Sequence, residues 1–216
     1  MAINSFATLK SAIQTYAVRP DSTFGNMVPT FIDLAEARLY DGAGEPGEDI
    51  YSPPLRSSAM EVTGMVAMTS GVGTLPSTAL EIRKIYVDDQ KSGISYVPPE
   101  RFDELNENAS AGTPRYYTVE AGSIKTTPAF TGTINLTYFR RYDAITSSNT
   151  TGPLLTAHGT IYLEACLFEA FAFLQETPLA IGHLAKLRSL VQGANRTAAS
   201  LRYAGPMRVR SRLAFP

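Results

Sequence analysis

The sequence lacks several residue types on which common kinds of site depend. Among its 216 residues there are one cysteine, two histidines and no tryptophan, so an intrachain disulfide is excluded. No apolar run approaches the roughly 18 residues of a membrane-spanning helix, and the N-terminus lacks the basic and apolar regions of a signal peptide. We therefore expect a soluble protein, made in a cytoplasm and without a membrane partner.

Acidic residues are absent from the last part of the chain, residues 177–216. That segment holds seven of the 19 basic residues and none of the 20 acidic ones, although the formal charge of the whole chain is only −1. The preceding residues therefore carry a net charge of −8. Such an asymmetry is typical of a chain that meets an acidic partner, nucleic acid or a neighbouring subunit.

Helical periodicity occupies both ends of the chain. Residues 4–18, about 27–40, 160–175 and 179–203 carry apolar side chains at the spacing of α-helices. The third of these segments is apolar nearly all round, which predicts a central position in a bundle.

A proline determines where we place the start of the second helix. Pro29 lacks a backbone N–H and is best tolerated in a first turn, so we predict Asn26 as the cap of this helix rather than Asp21. The first two helices then form a hairpin joined by a short turn.

The middle of the chain has the alternation and the β-branched residues of strands. A hairpin is predicted across Ala121 and Gly122, a turn over residues 71–73, and a short helix over residues 98–105, which begin with two prolines. The predicted strands are residues 62–69, 80–87, 94–97, 116–120, 123–126 and 133–142.

These elements predict an α+β protein in which both ends of the chain form an antiparallel helical bundle around a small β-sandwich or barrel-like domain. Polar loops at residues 42–54 and 147–151 mark the boundaries. The predicted parts are residues 1–41 and 152–204 for the bundle, 42–151 for the inserted β-rich domain and 205–216 for an extended C-terminal arm.

No catalytic constellation emerges from the spacing of the reactive residues. Cys166 lies in an apolar helical run and is predicted to be core packing, His158 to help cap a helix, and His183 to face solvent. The chain has no phosphate-binding loop, HExxH or GxSxG motif, so we expect no enzyme activity, metal or cofactor. The acidic clusters interpreted as a solvated face or subunit contact are Asp88 and Asp89, and Glu100, Asp103 and Glu104.

The end of the chain alternates apolar and basic residues, which predicts an extended arm. A solvated tail, a surface facing DNA and a docking arm all fit the charge, but a tail that only binds phosphates does not need the apolar residues. We therefore favour a partner-docking arm of Met207, Arg208, Val209, Arg210, Ser211, Arg212, Leu213 and Phe215. Candidate contacts with other subunits or partners are Lys186, Arg188, Arg196, Arg202, Glu100, Arg101, Asp103 and Glu104.

Six short motifs follow one another along the chain. They are residues 31–39 (FIDLAEARL), 75–76 with 80–87 (LP and LEIRKIYV), 96–102 (YVPPERF), 113–120 (TPRYYTVE), 138–141 (YFRR) and 162–170 (YLEACLFEA). In this order the sequence resembles the portal-to-tail adaptor proteins of tailed bacteriophages, particularly those with short tails. The resemblance covers about residues 5–195 and rests on the order of the motifs rather than on any one of them.

The resemblance implies a homo-oligomeric, dodecameric ring that lies under the portal protein and extends the DNA channel towards the tail. In such adaptors the helical unit packs into the ring and faces the portal, while the β-rich part points to the tail nozzle or the next connector. The C-terminal segment reaches into the portal, and double-stranded DNA is contacted only transiently and without sequence preference. Competing hypotheses are another phage neck or tail-tube component, a virion-associated hydrolase and a DNA-binding module.

Overall fold

The computed structural model of the chain describes residues 2–87, 93–107 and 109–202, which form five α-helices and two β-sheets. The predicted α+β class is therefore confirmed. The described residues divide into two compact units: a helical unit of residues 2–59 and 143–202, and a β unit of the residues between them. In chain order the helices are α1 (Phe6–Tyr16), α2 (Ser22–Asp41), α3 (Pro99–Asn106), α4 (Pro153–Phe173) and α5 (Thr177–Arg202). The strands are β1 (Glu61–Met68), β2 (Val72–Thr74), β3 (Ala79–Val87), β4 (Ser95–Tyr96), β5 (Tyr116–Glu120), β6 (Ser123–Thr127) and β7 (Gly132–Arg140).

Helix α2 begins earlier than its proline suggested. The Asp21 side chain accepts a hydrogen bond of 2.8 Å from the backbone N–H of Phe24 and so caps the helix. Pro29 lies inside the helix with its own side chain exposed, so it removes one helical hydrogen bond without ending the helix. The prediction of Asn26 as the cap is therefore wrong.

Helix α4 also begins before its predicted start. Pro153 occupies the first turn, where its missing N–H is not needed. His158 has φ −133° and ψ 40°, which places a kink between two helical segments of α4, and the second segment begins close to the predicted start at residue 160. Burial lowers the pKa of its imidazole below the usual value, because the half-buried position disfavours the charged form.

Helix α4 contacts α1, α2 and α5, and its residues 161–167 are buried without interruption. Tyr162 and Glu169 contact α2, whereas Glu164 and Phe171 contact α5. Each residue of the second pair follows one of the first by two positions, which is about 200° around a helix. Helices α2 and α5 therefore lie on opposite sides of α4.

The β unit contains a three-stranded sheet in the order β1-β7-β3 and a four-stranded sheet in the order β2-β6-β5-β4. The paired strands are antiparallel except β4 and β5, which are parallel. Apolar side chains from both sheets meet in one core, because alternate residues of each strand point to the same side. Its buried members include Val66, Met68, Ile85, Ile124, Ile134 and Leu136.

Two tight turns organise the β unit. The predicted hairpin of β5 and β6 is confirmed, with φ of 47° at Ala121 and 73° at Gly122, the geometry of a type I′ turn. A second turn with positive φ at Ser70 and Gly71 leads from β1 into β2. The turn predicted over residues 71–73 is therefore wrong beyond its first residue, because Val72 starts a strand that pairs with β6.

Candidate functional site

The predicted docking arm follows the last residue that the structure describes. Its residues Met207, Arg208, Val209, Arg210, Ser211, Arg212, Leu213 and Phe215 lie outside the described residues, as do Asp88 and Asp89. Arg202 is the last residue of α5, and its side chain is outside the described part as well. The docking role of the arm stays a prediction.

The acidic and basic residues predicted on the short helix do share one element, α3. Glu100, Arg101, Asp103 and Glu104 are all exposed, and Arg101 forms an ion pair with Glu104. Phe102 is buried and anchors the helix to the β unit. An exposed ion pair of this kind contributes little to stability, so these side chains are available to a partner.

The basic residues predicted on α5 do not form one surface. Lys186 and Arg196 are exposed, and the Lys186 ammonium group lies 3.5 Å from a carboxyl oxygen of Glu164. Arg188 instead turns towards the loop after α2. Its Nε donates to the Tyr51 carbonyl and a terminal nitrogen to the Asp49 carbonyl, both at 2.9 Å. Arg188 is therefore a contact within the chain.

A second α5 side chain holds the same loop. The Asn195 carbonyl oxygen accepts a hydrogen bond of 2.6 Å from the Arg56 N–H, and its amide nitrogen donates to the Pro54 carbonyl at 2.9 Å. Leu55, between these two residues, is fully buried and donates its N–H to the Leu39 carbonyl. Residues 42–57 thus belong to the helical unit and not to the β-rich domain for which they were predicted.

We expect Asn195→Ala to lower the free energy of unfolding by about 2 kcal/mol, because two backbone groups lose their partner at a partly buried site. Limited proteolysis should then cleave residues 42–57 faster, since the loop opens without global unfolding. Gln192→Ala, on the exposed side of the same helix, is the matched control. Unchanged cleavage in Asn195→Ala would show that the remaining contacts, such as those of Arg188 and Leu55, hold the loop without Asn195.

A buried carboxyl group joins α4 to α5. Glu164 lies 2.7 Å from Nδ1 of His183, and the imidazole stacks on Phe171 with ring centroids 5.1 Å apart. The His183 side chain is only 17% exposed, so the prediction that it faces solvent is wrong. It borders the buried stripe that begins with Ala180 and Leu184, which a helix with 3.6 residues per turn brings next to it.

A second buried carboxyl group, which the sequence pattern does not indicate, joins α2 to α4. Glu36 is 5% exposed, and one of its oxygens accepts hydrogen bonds from the Tyr162 hydroxyl at 3.1 Å and the Ile145 N–H at 3.2 Å. Burial, followed by the nearby Glu36, raises the pKa of the Tyr162 hydroxyl far above its usual range. The hydroxyl is thus a fixed donor. The motif FIDLAEARL contains Glu36, but its spacing alone predicts a solvated residue.

The single cysteine is core packing, as predicted. Cys166 is fully buried, and burial raises the pKa of its thiol well above the usual value. Among the described residues, no group of three or more His, Cys, Asp or Glu side chains is placed to hold a metal ion. No helix within the described ranges has the length and apolar character to cross a membrane.

The family model described as "SU10 adaptor protein" matches residues 4–210, which include both compact units. A search of curated proteins finds no match to this chain.

Proposed function

The chain belongs to the SU10 adaptor protein family, and from this premise we propose that it is the head-to-tail adaptor of a short-tailed bacteriophage, arranged as a dodecameric ring below the portal. Family membership makes it a phage adaptor and a structural component of the virion. In the proposal, the ring extends the DNA channel and offers a docking platform to the nozzle or tail protein. The family match over nearly the whole chain carries this proposal.

We also propose that the chain is structural and not catalytic. The thiolate is the reactive form of cysteine, and the raised pKa of the buried Cys166 thiol disfavours that form at neutral pH. His183 is engaged by Glu164 and Phe171, both of which have evident packing roles. An adaptor needs many repeated contacts, which add through multivalency even when each is weak.

The direct test mixes purified protein with purified portal and measures the mass and symmetry of the product by native mass spectrometry and negative-stain imaging. We expect a dodecameric ring bound to the portal. Binding to a tail or tube protein without any affinity for portal would instead favour another neck or tail-tube component.

We further expect a near-neutral or acidic channel lining, along which DNA slides without binding tightly. A map that places most basic residues of 177–216 on the channel contradicts this part.

Deleting residues 207–216 is expected to leave the thermal midpoint of the isolated chain unchanged and to weaken portal binding by about tenfold or more, through the loss of backbone pairing and side-chain anchors. Two further variants separate the contributions. The triple variant Val209→Ser, Leu213→Ser and Phe215→Ser removes the apolar anchors, and the triple variant Arg208→Gln, Arg210→Gln and Arg212→Gln removes the charge. If the arm docks through its apolar side chains, the serine variant should weaken portal binding as much as the deletion does. Normal portal binding by the truncated chain would refute it.

A further inference from the structure

The outward sides of α2 and α5 differ in charge and in side-chain size. We define the α5 face by the exposed residues opposite its buried stripe, which are small or basic: Gly182, Lys186, Ser189, Gly193, Arg196 and Ser200. We define the α2 face in the same way, and its exposed residues are Leu34 and the small, polar or acidic residues Asn26, Thr30, Asp33, Ala37 and Asp41. One face thus carries two cations and no acid, and the other two acids and no cation.

The glycines of the α5 face are not needed by the described chain. Glycine destabilises the interior of a helix relative to alanine. A Cβ atom added at Gly182 or Gly193 would meet no described atom within 4 Å. Small residues on a helix allow another helix to come close, since the distance between packed axes depends on the side chains at the contact. The face is therefore shaped for a helix from elsewhere.

We propose that the α5 face of one copy packs against the α2 face of the next copy in the ring. This inference rests on the proposed ring and names the surfaces that build it. Because α2 and α5 lie on opposite sides of α4, their outward faces point away from each other. Such a pair of complementary faces repeats head to tail, which is the heterologous contact that a closed ring of more than two copies requires.

The two helices also run in the same direction. Phe31 of α2 contacts Phe173 of α4, and Glu36 contacts Tyr162, so α2 is antiparallel to α4. Helix α5 follows α4 after three residues, 174–176, and packs against it as the antiparallel partner that so short a connection produces. Neighbouring copies in a ring of many subunits differ by a small rotation, so α5 and the next α2 meet nearly parallel.

The charges on the two faces have similar spacing in that parallel arrangement. Lys186 and Arg196 are ten residues apart, about 15 Å along the helix, and Asp33 and Asp41 are eight residues apart, about 12 Å. Long side chains bridge a difference of this size. The expected pairs are Lys186 with Asp33 and Arg196 with Asp41, and they form in addition to the contacts that Lys186 and Asp41 already make within the chain. Such pairs select the partner and its register more than they add affinity.

Charge reversal on one face at a time tests the contact. Lys186→Glu with Arg196→Glu makes both faces acidic, and Asp33→Lys with Asp41→Lys makes both basic, so each double variant alone should need about tenfold more protein to form rings. A mixture of the two should form rings at the wild-type concentration, because the reversed faces match alternately around a ring with an even number of copies. Native mass spectrometry should then show equal numbers of the two chains.

A larger side chain at Gly193 should stabilise the monomer but weaken ring formation. Gly193→Leu should raise the Tm of the monomer by about 2–4 °C, because leucine is the better helix former and the position is open. The same change should reduce ring formation by about tenfold, because the side chain separates the two helices. The matched control is Gln192→Leu, which adds the same side chain about 100° away around the helix and should leave assembly unchanged.

The outcomes separate this inference from the proposed ring. If the wild type forms rings and both charge-reversed variants also form them normally, the α5–α2 contact is wrong and the ring stands. If the variants form rings but lose portal binding, the α5 face belongs to the portal, which also overturns the contact. A wild type that stays monomeric with and without portal overturns both the ring and the contact.

Discussion

Replacing Glu36 by alanine is expected to lower the free energy of unfolding of the helical unit by about 3 kcal/mol. The substitution removes the acceptor that the Tyr162 hydroxyl and the Ile145 N–H share, and a buried donor that loses its acceptor costs about 1–3 kcal/mol. The Tyr162 hydroxyl keeps its hydrogen bond with Tyr40, so most of the loss is expected at the Ile145 N–H and in the charged hydrogen bond to Tyr162. The Tyr162 side chain is among the largest that are fully buried, so water has little access to replace the acceptor. This loss exceeds that of an ordinary surface substitution several-fold.

Urea denaturation followed by circular dichroism measures this effect, at a protein concentration below that of ring formation. Glu36→Gln keeps one accepting oxygen and should lose at most about half as much. Thr30→Ala, on the exposed side of the same helix, controls for a general effect on α2. A Glu36→Ala protein as stable as Thr30→Ala would show that the two donors find other acceptors.

Most of the regular structure follows from short-range pattern. The hairpin over Ala121 and Gly122 was predictable because a small residue followed by glycine supports two successive positive φ values. Helix α3 was predictable because Pro98 and Pro99 suit a helix start. The long helices α4 and α5 were predictable from their apolar spacing, although the ends were displaced. These elements depend on residues that lie close together along the chain.

The misplaced starts share a physical reason. Pro29 is a local signal against helix, but buried neighbours such as Phe31 and Ile32 keep α2 packed despite the lost hydrogen bond. His158 is likewise held inside α4 despite irregular backbone angles. Tertiary packing outweighs local preference at both places, and a single sequence does not reveal that packing.

The burial of the Glu36 and Glu164 carboxyl groups was not predictable from the sequence for a different reason. Glu36 and Tyr162 are 126 residues apart, and Glu164 and His183 come together only when α4 and α5 pack. A glutamate at helical spacing predicts a solvated residue unless its partner is known. By contrast, the charge asymmetry of residues 177–216 was visible from composition alone. Two of its members, Lys186 and Arg196, lie on the α5 face, and Arg188 holds a loop within the chain.

Gly73 shows how one residue can conceal a strand and fix its packing. It is the buried middle residue of β2, and a Cβ atom there would lie 2.4 Å from the Met68 sulfur, 2.7 Å from a Val66 methyl carbon and 2.9 Å from the Ala67 carbonyl oxygen. The glycine suggested a turn, because glycine is depleted from strands. Its presence instead allows β2 to lie directly against β1.

We therefore expect Gly73→Val to destabilise the β unit by about 3 kcal/mol, since overpacking displaces two core side chains and crowds a backbone carbonyl. Gly64→Val is the matched control. Gly64 lies in β1 of the same unit, and the nearest atoms to a Cβ there are those of the Tyr138 ring at 3.4 Å and beyond, an ordinary contact. Valine favours strands, so this control should be neutral or stabilising by up to about 1 kcal/mol. The denaturation midpoint should therefore fall for Gly73→Val and stay the same or rise for Gly64→Val, although both variants exchange glycine for valine. Equal midpoints would show that β2 moves away from β1 at little cost.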